Sequence, residues 1–248
     1  MTDIKMKCLQ VGYLPTNCYI LVGKESREAL VVDPGTKVGE ANRVIHAIDE
    51  LGANVKFIVN THGHPDHTSG NRAIKEHTGA KILIHANDAP LLIEPWRGAE
   101  ESEAFIKPHR CPVCGREEIV KLDVDADKVR TISGCGVVIL EAELSPPADR
   151  TLRDKDWIKF GGIELEVLHT PGHTRGGISL YYEKEHLVFS GDTLLEGSWG
   201  RIDLAGSSEE EMINSLRRLG KLPGQTVVYP GHGRQTTINK EKKVNPYM

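Results

Sequence analysis

The sequence predicts an α/β fold in which two twisted sheets pack face to face with helices outside. Three observations carry this. Short apolar runs alternate with amphipathic helical stripes through the first third, paired apolar runs surround turn signatures in the last third, and polar donors beside glycine follow several of these runs directly. At 248 residues, with 39% hydrophobic and 27% charged, the chain is long enough for one large domain with a substantial core and needs no disulfide staples. The expectation is a single domain over residues 1–248.

The elements follow in order. Residues 17–22 and 29–32 are apolar runs, and the second stops at the turn signature Asp33-Pro34-Gly35. Val38, Ala41, Val44, Ile45, Ile48 and Leu51 then recur at three- and four-residue spacing, which gives one helical stripe ended by Gly52. Residues 55–60 are a buried strand, 69–77 a weak helix and 81–85 a further strand. Trp157 to Phe160 and Ile163 to Leu168 form a hairpin, because Ile163, Leu165 and Val167 alternate with Glu164 and Glu166 after the Gly161-Gly162 turn. Residues 178–182 and 186–190 pair next. Ser208 opens a helix with capping-box spacing to Glu211 and an apolar face of Met212, Ile213, Leu216 and Leu219. Residues 226–229 are the last strand expected. Between about 95 and 147 the rhythm breaks, with little periodicity ahead of residues 137–140, and this stretch reads as an insertion.

Charge and cysteine usage exclude several classes. Lys plus Arg is 31 against 35 for Asp plus Glu, a formal net charge of −4, so no broad basic field exists to bind nucleic acid. No apolar stretch is long enough to span a bilayer, and the first residues lack a signal-peptide core. The five cysteines, Cys8, Cys18, Cys111, Cys114 and Cys135, are too few and odd in number for a secreted disulfide framework. A cytoplasmic protein without membrane or nucleic-acid partners is expected; the oligomeric state stays open.

The strongest local signal is Thr61-His62-Gly63-His64-Pro65-Asp66-His67, directly after an apolar strand. Three imidazoles and a carboxylate fall within six positions, in a chain with eleven histidines altogether. On a regular strand or helix these side chains would diverge, whereas a loop containing Gly and Pro can turn them to one point. Imidazole with carboxylate suits zinc, iron or manganese. His173, Asp192 and His232 repeat the same form, a donor beside glycine at the end of an apolar run.

Taken in order, His62, His64, Asp66, His67, His173, Asp192 and His232 reproduce the His-x-His-x-Asp-His, His, Asp, His pattern, and the chain thereby resembles the metallo-β-lactamase fold superfamily. Gly191-Asp192-Thr193-Leu194-Leu195, Gly200-Arg201, Pro230-Gly231-His232-Gly233, Asn17-Cys18-Tyr19 and Asp33-Pro34-Gly35 are similar to short bacterial members of the glyoxalase II (hydroxyacylglutathione hydrolase) group. The resemblance implies the four-layer αββα metallo-β-lactamase sandwich. It also implies two divalent ions, zinc first with iron or manganese as alternatives. His62, His64 and His173 would bind one, Asp66, His67 and His232 the other, and Asp192 would bridge them. A metal-bridging hydroxide would then hydrolyse a small-molecule acyl-thiol, with Asp66 and Asp192 as the catalytic carboxylates and Asp66 also placed to accept a proton. No nucleophile elbow or phosphate-binding Gly-Lys-Ser/Thr loop competes with this chemistry. Longer glyoxalase II enzymes carry a C-terminal helical domain with no counterpart after His232, which leaves the carrier thiol open. Arg201 is the candidate for a substrate carboxylate, with Lys240, Lys242 and Lys243 behind it.

The insertion is the departure from that group. Cys111-Pro112-Val113-Cys114-Gly115 has the form of a zinc knuckle, with Cys135 and His109 as further donors for an additional structural zinc. The alternative is a set of reduced, uncommitted thiols, or a disulfide formed on oxidation. Two other functional readings stay beside the thioesterase: a mononuclear iron enzyme resembling persulfide dioxygenases, which would use only His62, His173 and Asp192, and a non-catalytic metal-binding scaffold.

Overall fold

The computed structural model describes residues 3–94, 109–110, 117–118, 121–125, 128–132 and 138–248. The first half runs β1 (Ile4–Val11), β2 (Thr16–Gly23), β3 (Glu28–Val32), α1 (Ala41–Leu51), β4 (Asn54–Val59), α2 (Pro65–Thr68), α3 (Asn71–Thr78) and β5 (Lys81–His85). A short 3-10 turn, Ala89–Leu92, follows. Next come β6 (His109–Arg110), β7 (Glu117–Glu118), β8 (Lys121–Asp125), β9 (Lys128–Ile132) and β10 (Val138–Glu143). The rest is β11 (Arg150–Leu152), β12 (Trp157–Phe160), β13 (Ile163–His169), β14 (Ile178–Tyr182), β15 (Leu187–Gly191), α4 (Glu209–Leu219), β16 (Val227–Pro230), β17 (Thr236–Thr237) and α5 (Ile238–Val244).

Two six-stranded sheets form the body, ordered β1-β2-β3-β4-β5-β11 and β12-β13-β14-β15-β16-β17. Side chains on successive strand residues point to opposite faces, so a strand covered on both sides divides its apolar residues between two cores. In β2, Tyr19 and Leu21 enter the core between the sheets, while Cys18, Ile20 and Val22 enter the core under α1 and α3. The second sheet divides likewise: Phe189 faces the inter-sheet core, and Val188 packs with Met212, Leu216 and Leu219 of α4. Helix, sheet, sheet and helix are therefore stacked as four layers, as the sequence predicts. At about 25 cal/mol per Å² of apolar surface removed from water, these three cores supply the main drive for folding.

Most boundaries fall within two residues of expectation, and β5 and β14 match it. Ser208 caps α4 by accepting from the Glu211 N–H at 3.3 Å. The differences have physical reasons. β1 went unpredicted because Lys5, Lys7 and Gln10 interrupt its apolar pattern; it is an edge strand with only Ile4 and Val11 buried. The strand at 226–229 is not the last: β17 and α5 follow, with Thr237 capping α5. Within the stretch read as an insertion, β8, β9 and β10 form an antiparallel three-stranded sheet that, among the described residues, is hydrogen-bonded to neither large sheet. Its strands carry alternating charge, as in Lys121, Asp123 and Asp125, which hides them from an apolar scan. His109 enters a two-residue ladder opposite Glu118, whereas Cys111, Cys114 and Cys135 of the proposed knuckle lie outside the described residues. Among the described residues no helix is long and apolar enough to cross a membrane.

Candidate metal centre

The sequence-predicted donors all lie where a strand gives way to a loop. β3 runs parallel to β4, and β15 parallel to β16, so the ends of these strands open toward common edges of the two sheets. His62 to His67 follow β4, with Pro65 at the first position of α2 and both Asp66 and His67 inside its single turn. His173 lies between β13 and β14, Asp192 just beyond β15, and His232 just beyond β16. The two sheets are tied together at this edge: the Asn17 N–H donates to Gly231 O at 2.7 Å, Asn17 Nδ2 to the carbonyls of Pro230 and Gly233, and the Tyr19 hydroxyl to Pro230 O at 2.7 Å.

All seven predicted donors converge. Three overlapping groups, His62 with His64 and His173, His62 with His67 and Asp192, and Asp66 with His67 and His232, each hold their ligand atoms within 4.8 Å of one another. Asp192 stands between the outer two groups, with oxygens 3.6 Å from His67 Nε2, 3.6 Å from His173 Nε2 and 3.6 Å from His232 Nε2.

Outer hydrogen bonds decide which nitrogen of each ring faces inward. His173 Nδ1 lies 2.8 Å from the carbonyl of Arg201, an acceptor only, so Nδ1 carries the hydrogen and Nε2 presents a lone pair. His67 Nδ1 lies 3.0 Å from Asp33 Oδ2, with the same consequence. Thr61 donates its one hydroxyl proton to Asp33 Oδ2 at 2.6 Å, so His62 Nδ1, 3.2 Å away, must donate to Thr61 Oγ1. That leaves His62 Nε2 facing inward.

These residues fit a pair of cations on physical grounds. His62 Nε2 and Asp192 Oδ1 are buried and have no hydrogen-bond partner, an arrangement that costs free energy unless something electropositive meets them. His64 Nδ1 faces His173 Nε2 at 2.9 Å, and His67 Nε2 faces His232 Nε2 at 3.1 Å. Two lone pairs at that distance repel unless a proton or a cation serves both. In the metal-free chain the charges divide accordingly. Burial, and then the neighbouring imidazoles led by His67, hold His62 well below the usual imidazole range. Burial and His173 lower His64 to about 3. Burial works the other way on His67, but the carboxylates of Asp66, Asp192 and Asp33 overcome it and push that imidazole up to about 10. Asp66 resists burial because His67, His232 and His64 surround it, and it stays below the usual carboxylate range, ionised.

Gly231 shows how tightly the backbone wraps the site. A Cβ there would stand 2.3 Å from Asp192 Oδ1 and 2.8 Å from His67 Cε1, inside van der Waals contact with two donors at once. Gly231→Ala is expected to displace the carboxylate and weaken metal binding by about tenfold, the lower end for disturbed ligand orientation, with the fold retained. Chelator-competition titration measures this, and unchanged affinity would show that the contact is relieved elsewhere.

The guanidinium of Arg201 is forked on Asp203, with 2.7 Å from Nε to Oδ1 and 2.7 Å from Nη2 to Oδ2; its charge helps to lower His64, and its backbone carbonyl orients His173. Lys240 reaches Glu196 at 2.6 Å. Two buried carboxylates that sequence reasoning did not rank as site residues contact the ligand loops: Asp33, 1% exposed, and Asp88, 1% exposed. Asp33 had a readable signal, since it ends an apolar strand as Asp192 does; Asp88, three residues past β5, had none.

A profile of the Metallo-beta-lactamase superfamily matches residues 11–232. The chain belongs to this superfamily. It is 30% identical over 247 residues to hydroxyacylglutathione hydrolase GloC of Haemophilus influenzae, covering 99% of this chain and 98% of that protein. Among solved structures it is similar to BLEG-1 B3 metallo-beta-lactamase, with TM-score 0.75, 27% identity, and 98% and 99% of the two chains covered. It is also similar to TTHA1623 in a di-iron-bound form, with TM-score 0.73, 27% identity, and 98% and 100% covered. Members of the superfamily are mostly hydrolytic metalloenzymes built on this αββα sandwich, and the convergent histidines and aspartates lie where a metal can be held.

Proposed function

We propose that this superfamily member is a binuclear metallohydrolase that cleaves thioesters of the hydroxyacylglutathione type. His62, His64 and His173 hold one divalent ion, Asp66, His67 and His232 the other, and Asp192 lies between them. The observation that carries the reading is the complete set of seven convergent donors in a chain that aligns end to end with a hydroxyacylglutathione hydrolase. Zinc suits the imidazole-rich set, and the di-iron form of TTHA1623 supports iron as the alternative.

Two bound cations supply Lewis acidity, lowering the pKa of water from 15.7 toward roughly 7 and polarising the acyl carbonyl. The chain does the remaining work. Asp33, Thr61 and the Arg201 carbonyl keep protons on the outer nitrogens of His67, His62 and His173, so that lone pairs face the reacting centre. Against its burial, His67, His232 and His64 keep Asp66 below the usual carboxylate range, which suits it to hold a cation, and its side chain is partly exposed at 21%. It also lines a small pocket of about 20 Å³ with Tyr13, Thr36, Lys37, Ser69 and Glu141. Beside it the Lys37 ammonium lies 5.5 Å from the Tyr13 ring centroid.

The test is thiol release from a 2-hydroxyacyl-glutathione by protein loaded in turn with zinc, iron and manganese, with metal content measured alongside. About two ions per chain and thioester turnover support the reading. Oxygen uptake with glutathione persulfide, without thioester turnover, would replace it with the mononuclear iron enzyme; a metal-loaded protein inactive in both assays would leave the scaffold.

A further inference from the structure

Asp88 begins the 3-10 turn after β5 and is fixed at both backbone ends: its N–H donates to His85 O at 3.0 Å, and its carbonyl accepts from Leu91 N at 2.9 Å. Leu92 of the same turn is buried in the core beside Ile82 and Ile84 of β5. The side chain spans two loops. Oδ2 accepts from the Gly63 N–H at 3.0 Å, between His62 and His64, and from the Thr174 hydroxyl at 2.7 Å, next to His173; Oδ1 accepts from the Gly176 N–H at 2.6 Å. Among the described residues no other side chain outside the donor set hydrogen-bonds both loops.

The backbone is shaped to this contact. A Cβ on Gly176 would stand 2.6 Å from the Asp88 Cγ, and one on Gly63 would stand 3.1 Å from the Asp88 carbonyl oxygen and 2.5 Å from the Leu91 Cβ. Both loops therefore approach the turn closely enough that an added carbon collides with it. The distance they set is the one that matters for His64 Nδ1 and His173 Nε2, which face each other at 2.9 Å across these loops.

We propose that Asp88 is a positioning residue for one half of the metal centre: it clamps the His62-His64 loop to the His173 loop and so governs the affinity of the ion that those three histidines hold, while leaving the Asp66, His67 and His232 group alone. The proposal deepens the binuclear reading and rests on it. An amide at this position offers one acceptor where two backbone N–H groups, one on each oxygen, need one apiece. Whichever way the amide turns, Gly63 or Gly176 loses its partner and one loop is released.

The test is zinc binding to the full chain by chelator competition. In the Asp88→Asn variant one ion is expected to bind with wild-type affinity and the other about 10- to 100-fold more weakly, the range for loss of an outer partner. A His232→Ala background, which removes a donor of the opposite group, assigns the weakened ion: there Asp88→Asn lowers the affinity of the ion that remains. Thr174→Val removes one of the three hydrogen bonds and weakens the same ion by a smaller factor, which keeps the proposal testable if Asp88→Asn fails to fold. Both ions held at wild-type affinity in these variants, or both weakened equally, would overturn the positioning role. A wild-type chain that binds no zinc, iron or manganese would instead bring down the binuclear reading beneath it.

Discussion

With the proposed binuclear thioesterase centre, Asp192→Asn is expected to lower thioester turnover by at least about a thousandfold and to leave at most one ion bound under conditions that saturate the wild type. The amide keeps the shape of the side chain but removes its charge. That charge lies 3.6 Å from inward nitrogens of His67, His173 and His232, which belong to both halves of the centre. Two divalent cations bring four positive charges, against which the donor set provides two carboxylates, Asp66 and Asp192. A unit charge pair about 4 Å apart is worth roughly 4 kcal/mol at an effective dielectric of 20, and each 1.4 kcal/mol is a factor of ten in affinity. Removing one carboxylate between two cations therefore exceeds the loss expected from any change outside the donor set. Elemental analysis and kcat/KM, measured on the same preparation, check it. Two tightly held ions with turnover within tenfold of wild type would mean that Asp192 does not lie between them.

The inward-facing residues were legible because a site of this kind puts its ligands into short local patterns. His62, His64, Asp66 and His67 fit within six positions, and the others each follow a strand whose apolar run is itself readable. The layers were legible for a related reason: strands such as β2 and β5, buried on both faces, have continuous apolar sequences. What escaped was set by tertiary contact. β1 is an edge strand whose outward residues answer to water, and its pairing partner rather than its composition makes it a strand. Asp88 resembles any turn aspartate until Gly63, Thr174 and Gly176 are brought against it from up to 88 positions away. Arg201 points to the same limit, because its sequence position beside the metal loop is informative about its carbonyl and silent about the Asp203 that holds its guanidinium.

Asp33→Asn is expected to strip metal from the centre while sparing the fold. Asp33 has φ of 49°, a left-handed conformation that asparagine tolerates well, so the backbone keeps its course. Oδ1 accepts from the Thr61 N–H at 2.8 Å, and the amide oxygen can stay there; the NH₂ group then replaces Oδ2, which faces Thr61 Oγ1 at 2.6 Å and His67 Nδ1 at 3.0 Å. A donor now stands where an acceptor stood. Thr61 Oγ1 accepts from the amide and turns its own proton toward His62 Nδ1, 3.2 Å away, which must become an acceptor and move its proton to Nε2. His67 Nδ1 meets the same amide and is driven the same way. One substitution thus places hydrogens on the inward nitrogens of two ligands, one in each outer group. The affinity of both ions should fall by more than the 10- to 100-fold range for a single outer partner. In the metal-free protein Asp33→Asn also removes one of the carboxylates that hold His67 charged, so its denaturation midpoint should fall somewhat below that of the metal-free wild type. Asp33→Ala orphans the Thr61 N–H and the His67 Nδ1–H instead, at about 1–3 kcal/mol for each buried group left unmade, and so should lose stability and metal together. Zinc titration and urea denaturation of both variants separate the two effects. An Asp33→Asn protein that binds two ions as tightly as wild type would show that the tautomers are fixed by something other than this carboxylate.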